Sequence, residues 1–105
     1  MTELVICRGL PACGKTTRAK AWVAEDPVSR ARVNRDELRG MCHDGVWLGH
    51  DTERQIQSVR DAAIAALLKR GVSVVCDDTN LPQRVARDIA RIGRLAGADV
   101  TVCGT

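Results

Sequence analysis

The feature that most constrains this chain is a run near its start, Gly9-Leu10-Pro11-Ala12-Cys13-Gly14-Lys15-Thr16. It fits the pattern of glycine, any four residues, glycine, lysine and a hydroxyl residue without a mismatch. It also stands where its physics requires. The apolar stretch Leu4 to Arg8 reads as a strand, and a helix is expected from about Gly14 to Ala24, ended by Asp26-Pro27. The two glycines let the backbone wrap so that successive N–H groups converge on an anion, and the helix adds its positive N-terminal end. Lys15 would reach the β- and γ-phosphates of a nucleoside triphosphate, and the Thr16 hydroxyl would ligate Mg²⁺. By chance the pattern would arise in roughly 0.3% of chains this short. Gly9, Leu10, Pro11, Ala12, Cys13, Gly14, Lys15, Thr16 and Thr17 are therefore the candidate nucleotide-binding residues.

The 105 residues suffice for one domain, and no repeat or linker divides them. Beyond the first helix, Arg32-Val33-Asn34 reads as a weak strand, Asp36 to Met41 as a short helix, and Cys42 to His50 as a loop. Thr52-Glu53-Arg54-Gln55 matches a capping box, opening a helix with Ile56, Val59, Ala63, Ala66 and Leu67 on one face and Gly71 beyond its end. Val72 to Cys76 is β-branched and continuous, as in a strand buried on both faces. Asn80 is placed to cap a last helix, with Pro82 in its first turn and Val85, Ile89, Ile92 and Ala96 as its buried stripe. Gly97 closes that helix, and Ala98 to Cys103 is a final strand. This alternation predicts an α/β fold: a parallel sheet of about four strands with helices on both faces and its site at the carboxyl end of the strands.

Val72 to Cys76 followed by Asp77-Asp78 has the form of a strand that ends in a metal-holding carboxylate beside the cradle. Two adjacent carboxylates leave the choice between them open on spacing alone.

Three segments together resemble the polynucleotide 5′-kinase family: Gly9-Leu10-Pro11, Asn34-Arg35-Asp36-Glu37-Leu38-Arg39 and Asp78-Thr79-Asn80-Leu81. Their order and spacing agree with that family, and the middle segment is the narrow one. The resemblance implies transfer of the ATP γ-phosphoryl group, with Mg²⁺, to the 5′-hydroxyl of a DNA or RNA end. It implies that Asp36 is the general base and that Arg39 grips a phosphate of the acceptor strand, a task suited to a guanidinium. Thr79 would help hold the same phosphate, and Asp78 rather than Asp77 becomes the metal-side carboxylate. Family members continue past the last strand into a lid whose arginine clamps the triphosphate. Here the sequence stops at Thr105, so the expectation is a core without its lid, with weak selection among triphosphates and a last strand open to self-association. Arg84, Arg87, Arg91 and Arg94 along the last helix read as a solvated face. A kinase for a small hydroxyl compound, or an ATP-binding module without catalysis, are the alternatives.

Composition narrows the partners further. Trp22 and Trp47 are the only aromatic residues, so stacking of successive bases on a row of rings is excluded. Any action on nucleic acid is then expected at an end or at a phosphate. The net charge is +3, from 16 basic and 13 acidic residues, with no basic block. No apolar run reaches the roughly 20 residues of a membrane span. Cys7, Cys13, Cys42, Cys76 and Cys103 have no metal or disulfide spacing and read as reduced thiols of a cytoplasmic protein.

Overall fold

Four strands alternate with helices in the computed structural model, which describes residues 2–8, 14–78 and 81–103. The elements are β1 (Glu3–Cys7), α1 (Lys15–Glu25), β2 (Arg30–Val33), α2 (Arg35–His43), α3 (His50–Lys69), β3 (Ser73–Cys76), α4 (Gln83–Leu95) and β4 (Asp99–Cys103). Every strand pair is parallel, and the order across the sheet is β2-β3-β1-β4. The expected four-stranded α/β architecture is present.

This order decides where the helices and the site lie. The chain leaves β1, passes β3 to reach β2, returns to β3, and then crosses β1 to β4. Right-handed crossovers therefore put α1 on one face and α3 and α4 on the other. The connections leaving β1 and β3 depart in opposite directions, so a crevice opens between the carboxyl ends of these two neighbours. The glycine-rich segment follows β1 in the chain and Asp77-Asp78 follows β3, so both candidate segments begin at this crevice.

The core is continuous through the sheet and its α3–α4 side. Leu4 and Ile6 of β1, Val74 and Cys76 of β3, Ile64 and Leu68 of α3, and Ile89 of α4 are all buried. Each such side chain contributes on the order of 1.5–3 kcal/mol by leaving water. Helix α4 lies close on β1 and β4. A Cβ at Gly93 would stand 2.6 Å from Leu4 Cδ2 and 2.8 Å from Val100 Cγ2, so any larger residue here must displace those methyls. Arg84, Arg87, Arg91 and Arg94 are exposed, as the helical spacing predicts.

Several boundaries and one helix face differ from expectation. Strand β2 begins earlier, at Arg30, and stops at Val33, because Asn34 leaves it to cap α2. Helix α3 starts at His50 rather than Thr52, and no capping box forms, since the Thr52 hydroxyl donates to the Gly49 carbonyl at 3.0 Å. Its buried stripe is Ile56, Arg60, Ile64 and Leu68, while Val59 is 39% exposed and Ala66 faces solvent. Ala63 and Leu67 flank that stripe as partly buried neighbours. Helix α4 is capped at Pro82, so the proline precedes the first turn instead of lying in it. Asn80 lies outside the described residues. Strand β4 forms one edge of the sheet and is largely exposed.

Candidate functional site

Of the phosphate-binding segment, the described part is its entry into α1. Gly14 is the N-cap residue at φ 69°, a left-handed conformation that favours glycine, and Thr16 and Thr17 are exposed on the first turn. No acidic residue lies in that first turn, so none within it offsets the positive end of the helix. Gly9, Leu10, Pro11, Ala12, Cys13 and the Lys15 side chain lie outside the described residues. At the strand end, Arg8 Nε donates to the Leu81 carbonyl at 2.9 Å, tying the end of β1 to the segment after β3.

At the end of β3, Asp77 and Asp78 are both buried, and every carboxylate oxygen of the pair accepts a hydrogen bond. Asp77 accepts from Arg32 Nε at 2.9 Å and from Asn34 Nδ2 at 3.0 Å. Asp78 accepts from the Arg35 backbone N–H at 2.7 Å and from Arg60 Nη1 at 2.9 Å. Burial works against the Arg60 charge, and Asp61 and Asp78 more than restore it, leaving the guanidinium held firmly protonated. The two carboxylates thus bind the end of β2 and the start of α2 to the sheet's centre. Burial pushes the adjacent Cys76 thiol up to about 12, so it stays neutral.

That anchoring explains the Asn34-Arg35-Asp36 run residue by residue. Asn34 uses both ends of its amide: Oδ1 accepts from the Glu37 N–H at 3.0 Å and caps α2, while Nδ2 donates to Asp77. The backbone of Arg35 is fixed by Asp78, and its Nε lies 3.5 Å from Glu53 Oε1. Asp36 follows in the first turn of α2, with its side chain 54% exposed and not used as the cap.

Arg39, one turn further, donates from Nη1 to Asp36 Oδ1 at 2.8 Å. It also grips Glu53 of α3 with both Nε and Nη2. The hydrogen bond from Arg39 holds the Glu53 carboxyl below the usual carboxylate range, and Glu53 in turn pushes the Arg39 pKa up. The fold therefore brings the predicted Asp36 and Arg39 together in one half-open cluster. Thr79 lies outside the described residues. Sequence reasoning missed Glu53, which it assigned to a capping box, and Arg60, which it left off the buried face. A charged residue in the i, i+4 register of Ile56 and Ile64 was the available signal for Arg60.

A family model described as AAA domain matches residues 4–103. The chain belongs to this AAA-domain family. Comparison with curated proteins gave no match. Among solved structures, the AAA-domain chain is similar to two described as the Pnkp1/Rnl/Hen1 complex and the Pnkp1/Rnl/Hen1 RNA repair complex. Both are 29% identical to it, with TM-scores of 0.85 and 0.84. The match covers 97% of this chain but 34% and 32% of those chains, so it spans about a third of their length. An APS kinase of Mycobacterium tuberculosis has a TM-score of 0.72 at 15% identity, covering 96% of this chain and 73% of that one. At that identity the likeness is one of fold alone. The AAA-domain chain has a P-loop kinase-like fold, shared with phosphotransferases, and this family ordinarily binds ATP and Mg²⁺. Among the described residues, no helix is long and apolar enough to cross a membrane.

Proposed function

We propose that the AAA-domain chain carries the catalytic core of a polynucleotide 5′-hydroxyl kinase, moving the ATP γ-phosphoryl group to the 5′-end of DNA or RNA. The observation that carries this reading is the Asp36–Arg39–Glu53 cluster, fixed to the sheet through Asn34 and Asp77. A neutral small acceptor needs a base but no second cation for its own phosphate, whereas a nucleic-acid end needs both. Similarity to the Pnkp1-containing complexes supports the same reading.

The roles follow from the chemistry of the side chains. Asp36 accepts the proton of the 5′-hydroxyl as its oxygen bonds to the γ-phosphorus and the bond to the ADP oxygen breaks. Arg39 holds a phosphate of the acceptor with the N–H groups that Glu53 and Asp36 leave free, assisted by Thr79. Lys15 and the N–H groups of residues 9–14 hold the triphosphate. The donor set suits Mg²⁺: Thr16 offers a hydroxyl oxygen, and each Asp78 oxygen, although it accepts one N–H, keeps a further lone pair. Thr16 and Asp78 would hold the ion, which when bound neutralises charge on the phosphates.

The test is transfer from γ-labelled ATP to a 5′-hydroxyl oligonucleotide beside a panel of small alcohols. Lys15→Ala should abolish transfer and weaken ATP binding. Asp36→Asn should lower turnover by about 10²–10⁴-fold and leave ATP affinity nearly intact. Label appearing only on a small alcohol would overturn the nucleic-acid acceptor.

A further inference from the structure

The loop between α2 and α3 carries apolar side chains that a solvated turn does not need. Val46, Trp47 and Leu48 are 50%, 57% and 60% exposed. Yet the loop is pinned at both ends. The Gly45 N–H donates to the Arg39 carbonyl at 3.1 Å, the Val46 N–H to the His43 carbonyl at 3.1 Å, and the Glu53 N–H to the Gly49 carbonyl at 3.1 Å. One end therefore hangs from Arg39, and the other enters α3 one turn before the carboxylate that holds Arg39.

Within this frame the Trp47 and His50 rings meet nearly perpendicular, at 88° with centroids 5.5 Å apart. His50 and Glu53 are three residues apart on α3, so they share a helix face and stand about 5 Å apart along it. Trp47 thus lies two residues from Gly45, whose N–H is held by the Arg39 carbonyl, and its ring meets His50, one turn before Glu53. A perpendicular contact leaves at least one face of the indole open. The other tryptophan differs: Trp22 is half-buried, with the Arg30 guanidinium 4.8 Å from its ring centroid. One exposed ring is carried by the loop tethered to the Arg39 backbone, and one ring can take one base.

We propose that Trp47 is the stacking platform for the base of the acceptor's 5′-terminal nucleotide. This rests on the polynucleotide reading of the Asp36–Arg39 cluster and adds a base subsite to it. Arg39 takes a phosphate near the 5′-end, Trp47 takes the terminal base, and the strand is positioned with its 5′-hydroxyl toward Asp36. Since every base has a π-face, the subsite selects for the presence of a base and not for its identity. Val46 and Leu48 extend the apolar surface around the ring.

Equilibrium binding tests this without depending on turnover. The full chain carrying Trp22→Phe reports Trp47 fluorescence alone, and is titrated with a 5′-hydroxyl oligonucleotide or with the same strand bearing an abasic 5′-terminal residue. Quenching by the first strand and not by the second is expected. By anisotropy of a labelled strand, Trp47→Ala should weaken binding about tenfold and Trp47→Phe less than threefold. The abasic strand should bind wild type and Trp47→Ala alike, and ATP affinity should not change. Equal losses for the two strands on Trp47→Ala would overturn the subsite and leave the kinase reading standing. Fluorescence that follows protein concentration instead of added strand would assign the patch to a second copy of the chain and overturn the proposal. Absence of oligonucleotide binding by wild type would overturn both readings.

Discussion

Two acid–arginine clusters sit a few residues apart in this chain, built from the same chemistry and put to opposite uses. In the first, Asp77 and Asp78 meet Arg32 and Arg60, and the Arg60 and Asp78 side chains are 2% and 0% exposed. In the second, Arg39 joins Glu53 and Asp36, and the Asp36 carboxylate is half open to solvent. Burial separates them. A charge removed from water is tolerated only when it is paired and hydrogen-bonded, so the ion pairs of the first cluster hold the fold, whatever lone pairs Asp78 keeps for a metal ion. The second keeps one face wet, and on the proposed kinase reading that is the face an acceptor would meet. The buried cluster also sets the position of the open one, because Asn34 and Arg35, which Asp77 and Asp78 hold, lead directly into Asp36.

The largest effect should come from breaking the buried cluster. Arg60→Ala strands the Asp78 carboxylate in the interior, where loss of one partner costs about 3–5 kcal/mol. For a domain of this size that lowers the melting temperature by on the order of 15 °C or more. Adding Asp78→Asn to Arg60→Met should recover much of the loss, since no unpaired buried charge remains, Asp77 keeping Arg32, and the asparagine oxygen still accepts from the Arg35 N–H. Thermal or urea unfolding of the single and double variants makes the comparison. A single variant as stable as wild type would mean that Asp78 finds water instead of Arg60.

A smaller effect on stability, and a larger one on binding, should follow in the open cluster. Glu53→Gln should cost about 1 kcal/mol or less, as partly exposed ion pairs do. It frees Arg39 from its two-point hold, so acceptor affinity should fall several-fold while ATP affinity stays. The pH dependence has a definite sign. The folded-state pKa of Glu53 is depressed by Arg39, so its contribution is complete above the unfolded carboxylate value near pH 4.3 and is lost as pH falls through the lower folded value. Urea midpoints of wild type and Glu53→Gln should therefore differ by a constant amount from pH 7 to about 5, and the gap should narrow as pH falls below about 4. A gap that does not narrow at all below about pH 4 would assign the effect to packing instead of charge.

What could be read from the sequence divides along the same line. The alternation of apolar runs and helical stripes placed four strands and the parallel sheet, because those signals are local. Asp36 and Arg39 were legible through the family resemblance of the Asn34–Arg39 run, and the structure adds that they pair, three residues apart on one helix. Arg60 was not, since its justification is a carboxylate 18 residues away on the end of β3, and periodicity counts an arginine as surface. The same blindness moved the buried face of α3 from Val59 and Ala63 onto Arg60 and Ile64. Glu53 fitted a local capping pattern, and only the packing of α3 against α2 turns it toward Arg39. Side chains whose partners are distant in sequence carry no sign of it.

The smallest effect is a chemical readout of the two clusters by the thiols beside them. Cys76 adjoins Asp77 at the end of β3 and is buried, whereas Cys42 is exposed on α2, the helix that carries Asp36 and Arg39. Burial lifts the Cys76 thiol to about 12, so at pH 8 only about one molecule in 10⁴ carries the thiolate, and that thiolate has no access to reagent. Iodoacetamide on the native chain should label Cys42 and leave Cys76 unmodified, with peptide mass spectrometry assigning the sites. Denaturation in urea should make the two equivalent. In Arg60→Ala, Cys76 should become reactive at lower urea than in wild type, because Asp78 beside it has lost its cation. Rapid native labelling of Cys76 would show that the end of β3 opens to solvent on its own, and the contrast between a closed and an open cluster would then be one of degree.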